Sequence, residues 1–330
     1  MVSLSEDPKY GFAIGRIRAL EPVLMDRTRY ERFIRARSGE DFAAALAETA
    51  YARFLEGGTA GVAQAFESAA AENSAFFSAY ALDDWLVRLF RLPEAFRRLK
   101  TAIKDALANG RTAVVIPAEL GPTQEGLPVA DTVAEAVSAF ADNQDPAAAD
   151  VTVDRLMQEA QLQVASPSGF VTGYLARHAD IENLRTLVRL KAKAGSGEGL
   201  AGEMKTAFLP GGELTLASLV AAMPEPWPAV MDLLAKAPPY GAGSEAFREY
   251  LEQGHAAVAD KRSYARMERL GREMELRYLR QTRYATFGHE PLVTFFLLRE
   301  NELRNLRLLY AARLAGLADE ETQDLVAYVD

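Results

Sequence analysis

Along most of this chain apolar residues recur at spacings of three and four, the period of a helix with one buried face. From Tyr10 the apolar positions are Tyr10, Ile14, Ile17, Leu20 and Leu24, a stripe that predicts a first helix, with Pro22 bending or splitting its end. Asp26 is placed to cap a second helix carrying Tyr30, Phe33 and Ile34. Ser38 is placed to cap a third, with Asp41 in its first turn and Phe42, Leu46 and Ala50 on its apolar face. Further helical stretches are expected over Phe76 to Ala108, interrupted at Pro93, and over Ala130 to Ala165, broken at Asp145-Pro146. Phe170 to Ala194, Ala246 to Tyr284 and Pro291 to Leu317 follow, with a short last helix opening at Ala318 to Glu321 and ending near Tyr328. Turn chemistry marks Val114 to Pro128, Gly195 to Gly202, Leu209 to Gly212, Pro224 to Pro228 and Pro238 to Gly243 as connections. Alternating β-branched runs are scarce and helix formers abundant, so the expected fold class is all-α.

One phrase is written twice. YLARHADIENLRTL begins at Tyr174 and FLLRENELRNLRLL at Phe296, 122 residues later. Both keep an aromatic, Leu, Arg, an acid, an aliphatic, Asn-Leu-Arg and a final Leu in register. The shared positions are Arg177, Asp180, Asn183, Leu184 and Arg185 in the first copy and Arg299, Glu302, Asn305, Leu306 and Arg307 in the second. Ile181, Leu184 and Val188 form one helical stripe, and Leu303, Leu306 and Tyr310 its counterpart. Arg177 with Asp180, and Arg299 with Glu302, are spaced to pair; read as exposed pairs they contribute ~0.3–0.5 kcal/mol each. Asparagine is a poor helix-interior residue because its amide competes for backbone hydrogen bonds. Its return in one register predicts a specific partner in each copy, such as a neighbouring helix. A weaker third copy aligns Phe96, Arg97 and Leu99 with Leu184, Arg185 and Leu187, with Ala95 in place of the Asn and Pro93 inserted. Three modules of roughly 110 residues would fill the chain, and repeated units of this size stack into related folds. Their expected bounds are 1–122, 123–225 and 226–330.

Composition narrows the function. There is no cysteine, so no disulfide framework, thiolate metal site or cysteine nucleophile exists. The net charge of −9 argues against a nucleic-acid partner. The cluster Arg27, Arg29, Arg32, Arg35 and Arg37 reads as a solvated helix face. The opening MVSLSEDPKY lacks a basic start followed by an apolar stretch, so no secretory signal is expected. The apolar run Leu292 to Leu298 spans about seven residues where a membrane-spanning helix needs roughly 20.

The chain assembles no familiar catalytic constellation. The three histidines are His178, His255 and His289. Glu252 and His255 have the spacing of one half of a helical di-iron site, without the second pair or the two further acids. Asp83-Asp84 lacks the following acid of a prenyl-transfer motif and reads as a helix start. Neither Gly195-Ser196-Gly197 nor Gly241-Ala242-Gly243 precedes the Lys-Ser/Thr of a phosphate loop. No catalytic residue, cofactor, metal or small-molecule substrate is expected.

The opening YGFAIGRIRALEPVLMDRTRYERFIRARSGEDFAAALAETAY, together with ENLRTLVRLKAKAG at Glu182 and RENELRNLRLLYAARLAGL at Arg299, resembles the C subunits of the bacterial and archaeal V-type (A-type) ATPases. Their eukaryotic counterpart is the d subunit of the vacuolar ATPase. The resemblance runs through most of the chain in order, least well between Asp105 and Asp150. It implies an all-helical funnel of three similar modules about a pseudo-threefold axis. It implies a non-catalytic central-stalk role, coupling the shaft subunits of the soluble ATPase sector to the rotor-ring proteolipid during proton or sodium transport. It places the chain peripherally on the cytoplasmic face of the membrane. The residues by themselves also fit a soluble helical-repeat adaptor holding an unrelated protein partner in its groove.

Overall fold

The computed structural model describes residues 4–111, 113–120, 129–143, 146–193, 199–236, 244–261 and 263–328. In chain order the helices are α1 (Gly11–Leu20), α2 (Arg27–Arg35), α3 (Gly39–Leu46), α4 (Val62–Tyr80) and α5 (Asp84–Ala108). Then come α6 (Val129–Asn143), α7 (Pro146–Ala165), α8 (Gly169–Lys193), α9 (Leu200–Ala207) and α10 (Leu216–Ala222). The last are α11 (Trp227–Lys236), α12 (Ser244–Lys261), α13 (Ala265–Leu279), α14 (Glu290–Leu314) and α15 (Asp319–Gln323). Among the described residues no strand occurs, and the fold is all-α.

Local chemistry sets many of the boundaries. The Asp26 carboxylate accepts from the Arg29 N–H at 2.9 Å and the Ser38 hydroxyl from the Asp41 N–H at 3.0 Å, so both capped helices start where expected. A 3-10 turn at Glu21–Val23, containing Pro22, ends α1. α7 begins at Pro146, where the missing proline N–H has no intrahelical partner to lose. Several boundaries differ from expectation, among them the start of α4 at Val62, ahead of the expected Phe76. The helical region ending at Ala108 breaks at Ala81 to Asp83, while α5 continues through Pro93. Burial of Leu89, Leu92, Ala95, Phe96 and Leu99 around the proline offsets the one backbone bond that it removes. Gly202 lies inside α9, and α15 stops at Gln323. Within the glycine-rich turn, Gly195 to Glu198 lies outside the described residues, as do Gly121 to Pro128, Ala237 to Gly243 and Asp145 of the expected break.

The chain forms two compact units. The first combines both ends, residues 1–82 and 249–330; the second is residues 83–248. The expected modules 1–122, 123–225 and 226–330 rest on repetition rather than compactness and cut the chain elsewhere.

In the first unit α14 packs against α1, α3 and α4. Its first residues, Glu290 to Phe295, are buried in succession, so this helix starts as a core element rather than an amphipathic surface helix. Farther along, Leu303, Leu306 and Leu309 join Phe33, Phe42 and Phe66 in one apolar cluster. Aromatic pairs link the elements, with ring centroids 4.8 Å apart for Phe33 and Phe42 and 5.1 Å for Phe42 and Tyr310. In the second unit α5 and α6 pack on α7, which also meets α8 and α9. The buried faces there include Phe96 and Leu99 of α5 and Leu184, Leu187 and Val188 of α8.

Candidate functional site

The two copies of the phrase fall on two helices of equal length, α8 and α14, each 25 residues. The weaker copy falls on α5, also 25 residues long. Leu184 and Leu306 are both fully buried, as their shared register requires.

Asn183 and Asn305 are also fully buried, and each grips the main chain of a single residue. Asn183 Nδ2 donates to the Leu209 carbonyl at 2.9 Å, and its Oδ1 accepts from the Leu209 N–H at 2.8 Å. Asn305 Nδ2 donates to the Ala327 carbonyl at 2.7 Å, and its Oδ1 accepts from the Ala327 N–H at 3.3 Å. The partner in each copy is therefore a non-helical segment farther along the chain, not the neighbouring helix the sequence suggests. An extended segment needs such a partner because it cannot satisfy its own N–H and C=O groups.

The acid of the phrase acts beside each amide clamp. Asp180, fully buried, accepts from the N–H groups of Leu214 and Glu213 at 2.9 Å each. A Cβ at Gly212 would run into that carboxylate, so glycine there permits the close approach. Gln158 Nε2 adds a bond of 3.3 Å to the Pro210 carbonyl. Glu302 accepts from the Met25 N–H and, at 2.8 Å, from the Tyr51 hydroxyl.

Arg177 Nη1 donates to the Gly173 carbonyl at 3.1 Å. Arg299 Nη1 lies 3.4 Å from Glu302 Oε2, and its guanidinium sits 4.7 Å from the Tyr51 ring centroid. The Arg299–Glu302 pair is buried, with side-chain exposures of 8% and 5%, which corrects the reading of it as a weak surface pair. Burial is the dominant influence on Glu302 and raises its pKa; the Met25 N–H, Arg299 and Tyr51 pull it down. Burial and the Glu302 charge raise Tyr51 well above the ordinary phenol range. Arg185 pairs with Glu182 on its own helix, and Arg307 reaches Glu67 of α4 at 3.0 Å.

Several participants do not stand out in the sequence. Asn301 Nδ2 also donates to the Ala327 carbonyl, at 3.0 Å. Its place one turn before Asn305 is a legible signal that sequence reasoning missed: a second asparagine inside a helix. Met25, Tyr51, Leu209 and Ala327 carry none, because spacing along one helix says nothing about distant segments. Cavities of about 340 Å³ and 280 Å³ flank the helices, the first lined in part by His178, Glu182 and Arg185, the second by Tyr30, Asn301 and Glu302. Among the described residues no three His, Asp or Glu side chains gather as a metal site. No helix of the described residues is long and apolar enough to cross a membrane. The arrangement is chemistry for fastening: buried side chains that tie loops and chain ends to long helices.

No curated protein matches the chain. A family model described as ATP synthase (C/AC39) subunit matches residues 13–325, which takes in most of α1, all of α5, α8 and α14, and both clamp asparagines. The chain therefore belongs to the ATP synthase (C/AC39) subunit family, the C/d subunits of V/A-type ATPases, and is an accessory subunit of an ion-transporting complex.

Proposed function

We propose that the chain is the central-stalk socket of a V/A-type rotary ATPase, a non-catalytic subunit that couples the rotor shaft to the membrane rotor ring. The observation that carries this reading is the same bidentate amide clamp in the same register of two 25-residue helices. A part that passes torque must not let its helices slide against the segments around them. A buried side chain bound to both the N–H and the carbonyl of one residue resists such sliding in two directions. Three modules, residues 1–122, 123–225 and 226–330, each supply one long helix (α5, α8 and α14) to a funnel with pseudo-threefold arrangement. The partners are the shaft subunits of the soluble sector and the ring proteolipid, and the chain works from the cytoplasmic face as a peripheral component. The cargo is protons or sodium ions, moved by the ring and not by this chain.

The test is a tagged pull-down from gently solubilised membranes of the native organism, read by mass spectrometry. Co-recovery of shaft subunits and ring proteolipid is the expected result. Recovery of soluble proteins alone would sink the coupling role and favour a helical-repeat adaptor.

A further inference from the structure

The chain as a whole is acidic, with net charge −9, yet one surface of its first unit is basic and aromatic. From Leu276 to His289 there is no acidic residue, while Arg277, Arg280 and Arg283 fall within the stretch. Tyr284 is 84% exposed and Phe287 46%. Arg283 lies over the Tyr284 ring at 5.7 Å. Neither Arg280 nor Arg283 has an ion-pair partner among the described residues.

This segment is held in place. Arg18 of α1 donates to the carbonyls of Thr282 and Ala285 at 3.2 and 2.7 Å. The Gly288 N–H donates to the Asp7 carbonyl at 3.0 Å, and His289 meets the edge of the Tyr10 ring at 6.2 Å. These ties run the segment antiparallel along α1, from Arg18 back to Asp7. Of the nearby acids, Asp7 pairs with Lys9 and Glu21 with Arg18, leaving Glu6 exposed.

We propose that residues 280–287 form a docking surface for an anionic phospholipid bilayer. Unpaired arginines match headgroup phosphates, and aromatic rings between them settle at the level of the headgroups. The rings protrude rather than line a cleft, which suits a deformable surface better than a shaped protein pocket. This contact goes beyond the coupling role and needs no other subunit, so its failure leaves that role untouched.

The experiment is co-sedimentation of the isolated full chain with vesicles of phosphatidylcholine alone and of phosphatidylcholine mixed with phosphatidylglycerol. Binding is expected on the mixed vesicles only, weakening as salt screens the charges. Arg280→Gln/Arg283→Gln is expected to lower affinity about twenty-fivefold, at about fivefold for each cation. Tyr284→Ser/Phe287→Ser should weaken binding while preserving its dependence on salt. All four side chains lie outside the apolar core, so an unchanged melting temperature verifies the fold of each variant. No binding to the mixed vesicles, or equal binding by the variants, overturns the proposal. It is also overturned if the same variants lose an acidic polypeptide partner while the native chain ignores vesicles, an outcome that assigns the surface to protein.

Discussion

In α8 the buried acid and the buried asparagine work on one loop: Asn183 holds Leu209, and Asp180 holds the N–H groups of Glu213 and Leu214. In α14 the same two positions are divided between the ends of the chain. Glu302 holds Met25 near the start, and Asn305 holds Ala327 near the finish. In both copies the asparagine closes on a nearby segment, 26 positions on in α8 and 22 in α14, whereas the acid binds 33 and 34 positions on in α8 but 277 positions back in α14. The register of acid and amide is shared because both sit on the helix face turned toward the segments they bind.

The largest effect is expected at the buried charge pair of α14. Arg299→Met leaves the Glu302 carboxylate buried without its cation, and removing one partner of a buried pair costs about 3–5 kcal/mol. The sign of its pH dependence follows from the charge that is lost. Arg299 lowers the pKa of Glu302, so the variant drives that pKa further above its ordinary value of 4.5. The folded variant then holds a proton that the unfolded chain releases, and its deficit grows as pH rises through the window and shrinks on acidification. Urea denaturation of native and variant chains across acid to neutral pH checks this, and a deficit that grew on acidification would contradict it. Combining Arg299→Met with Glu302→Gln removes the unpaired charge while keeping an acceptor for the Met25 N–H and the Tyr51 hydroxyl, and should restore part of the loss and abolish its pH dependence.

Asn183→Leu ranks next, because it strands both the N–H and the carbonyl of Leu209, at about 2–4 kcal/mol for two unsatisfied groups. Asn305→Leu should cost less, about 1–3 kcal/mol, because Asn301 continues to hold the Ala327 carbonyl. Asn301→Ala combined with Asn305→Leu removes that reserve and is expected to fall at or beyond the Asn183 variant. Thermal melting of the three chains decides this. Equal losses for Asn183→Leu and Asn305→Leu would remove the contrast between a clamp with a reserve and one without.

How much of this is legible in the sequence depends on distance along the chain. The helices are readable because their period and caps are local: Asp26, Ser38 and the proline at 146 mark starts by chemistry within one turn. Asn183 and Asn305 stand out because a helix interior gives asparagine no intrinsic advantage. Their partners stay hidden, since nothing in a helical pattern identifies Leu209 or Ala327 as its recipient. Pro93 misleads because its cost, read alone, leaves out the core residues that surround it. The Arg299–Glu302 spacing correctly suggests a pair, but spacing carries no information on burial, and burial decides both its energy and its titration.

The smallest effect concerns the last arginine of the phrase, identical in sequence and unlike in use. Arg185 pairs within its own helix with Glu182, whereas Arg307 crosses to Glu67 on α4. Both pairs reach solvent, with side-chain exposures of 35% and 23% in one and 40% and 70% in the other. Exposed pairs contribute about 0–1 kcal/mol, so Arg185→Gln and Arg307→Gln should each shift the melting temperature little. Salt should erase the small difference between native chain and variant in both cases. A large loss for Arg307→Gln alone would mean that the bridge to α4 holds α14 in place. The division between the copies would then reach the exposed face as well as the buried one.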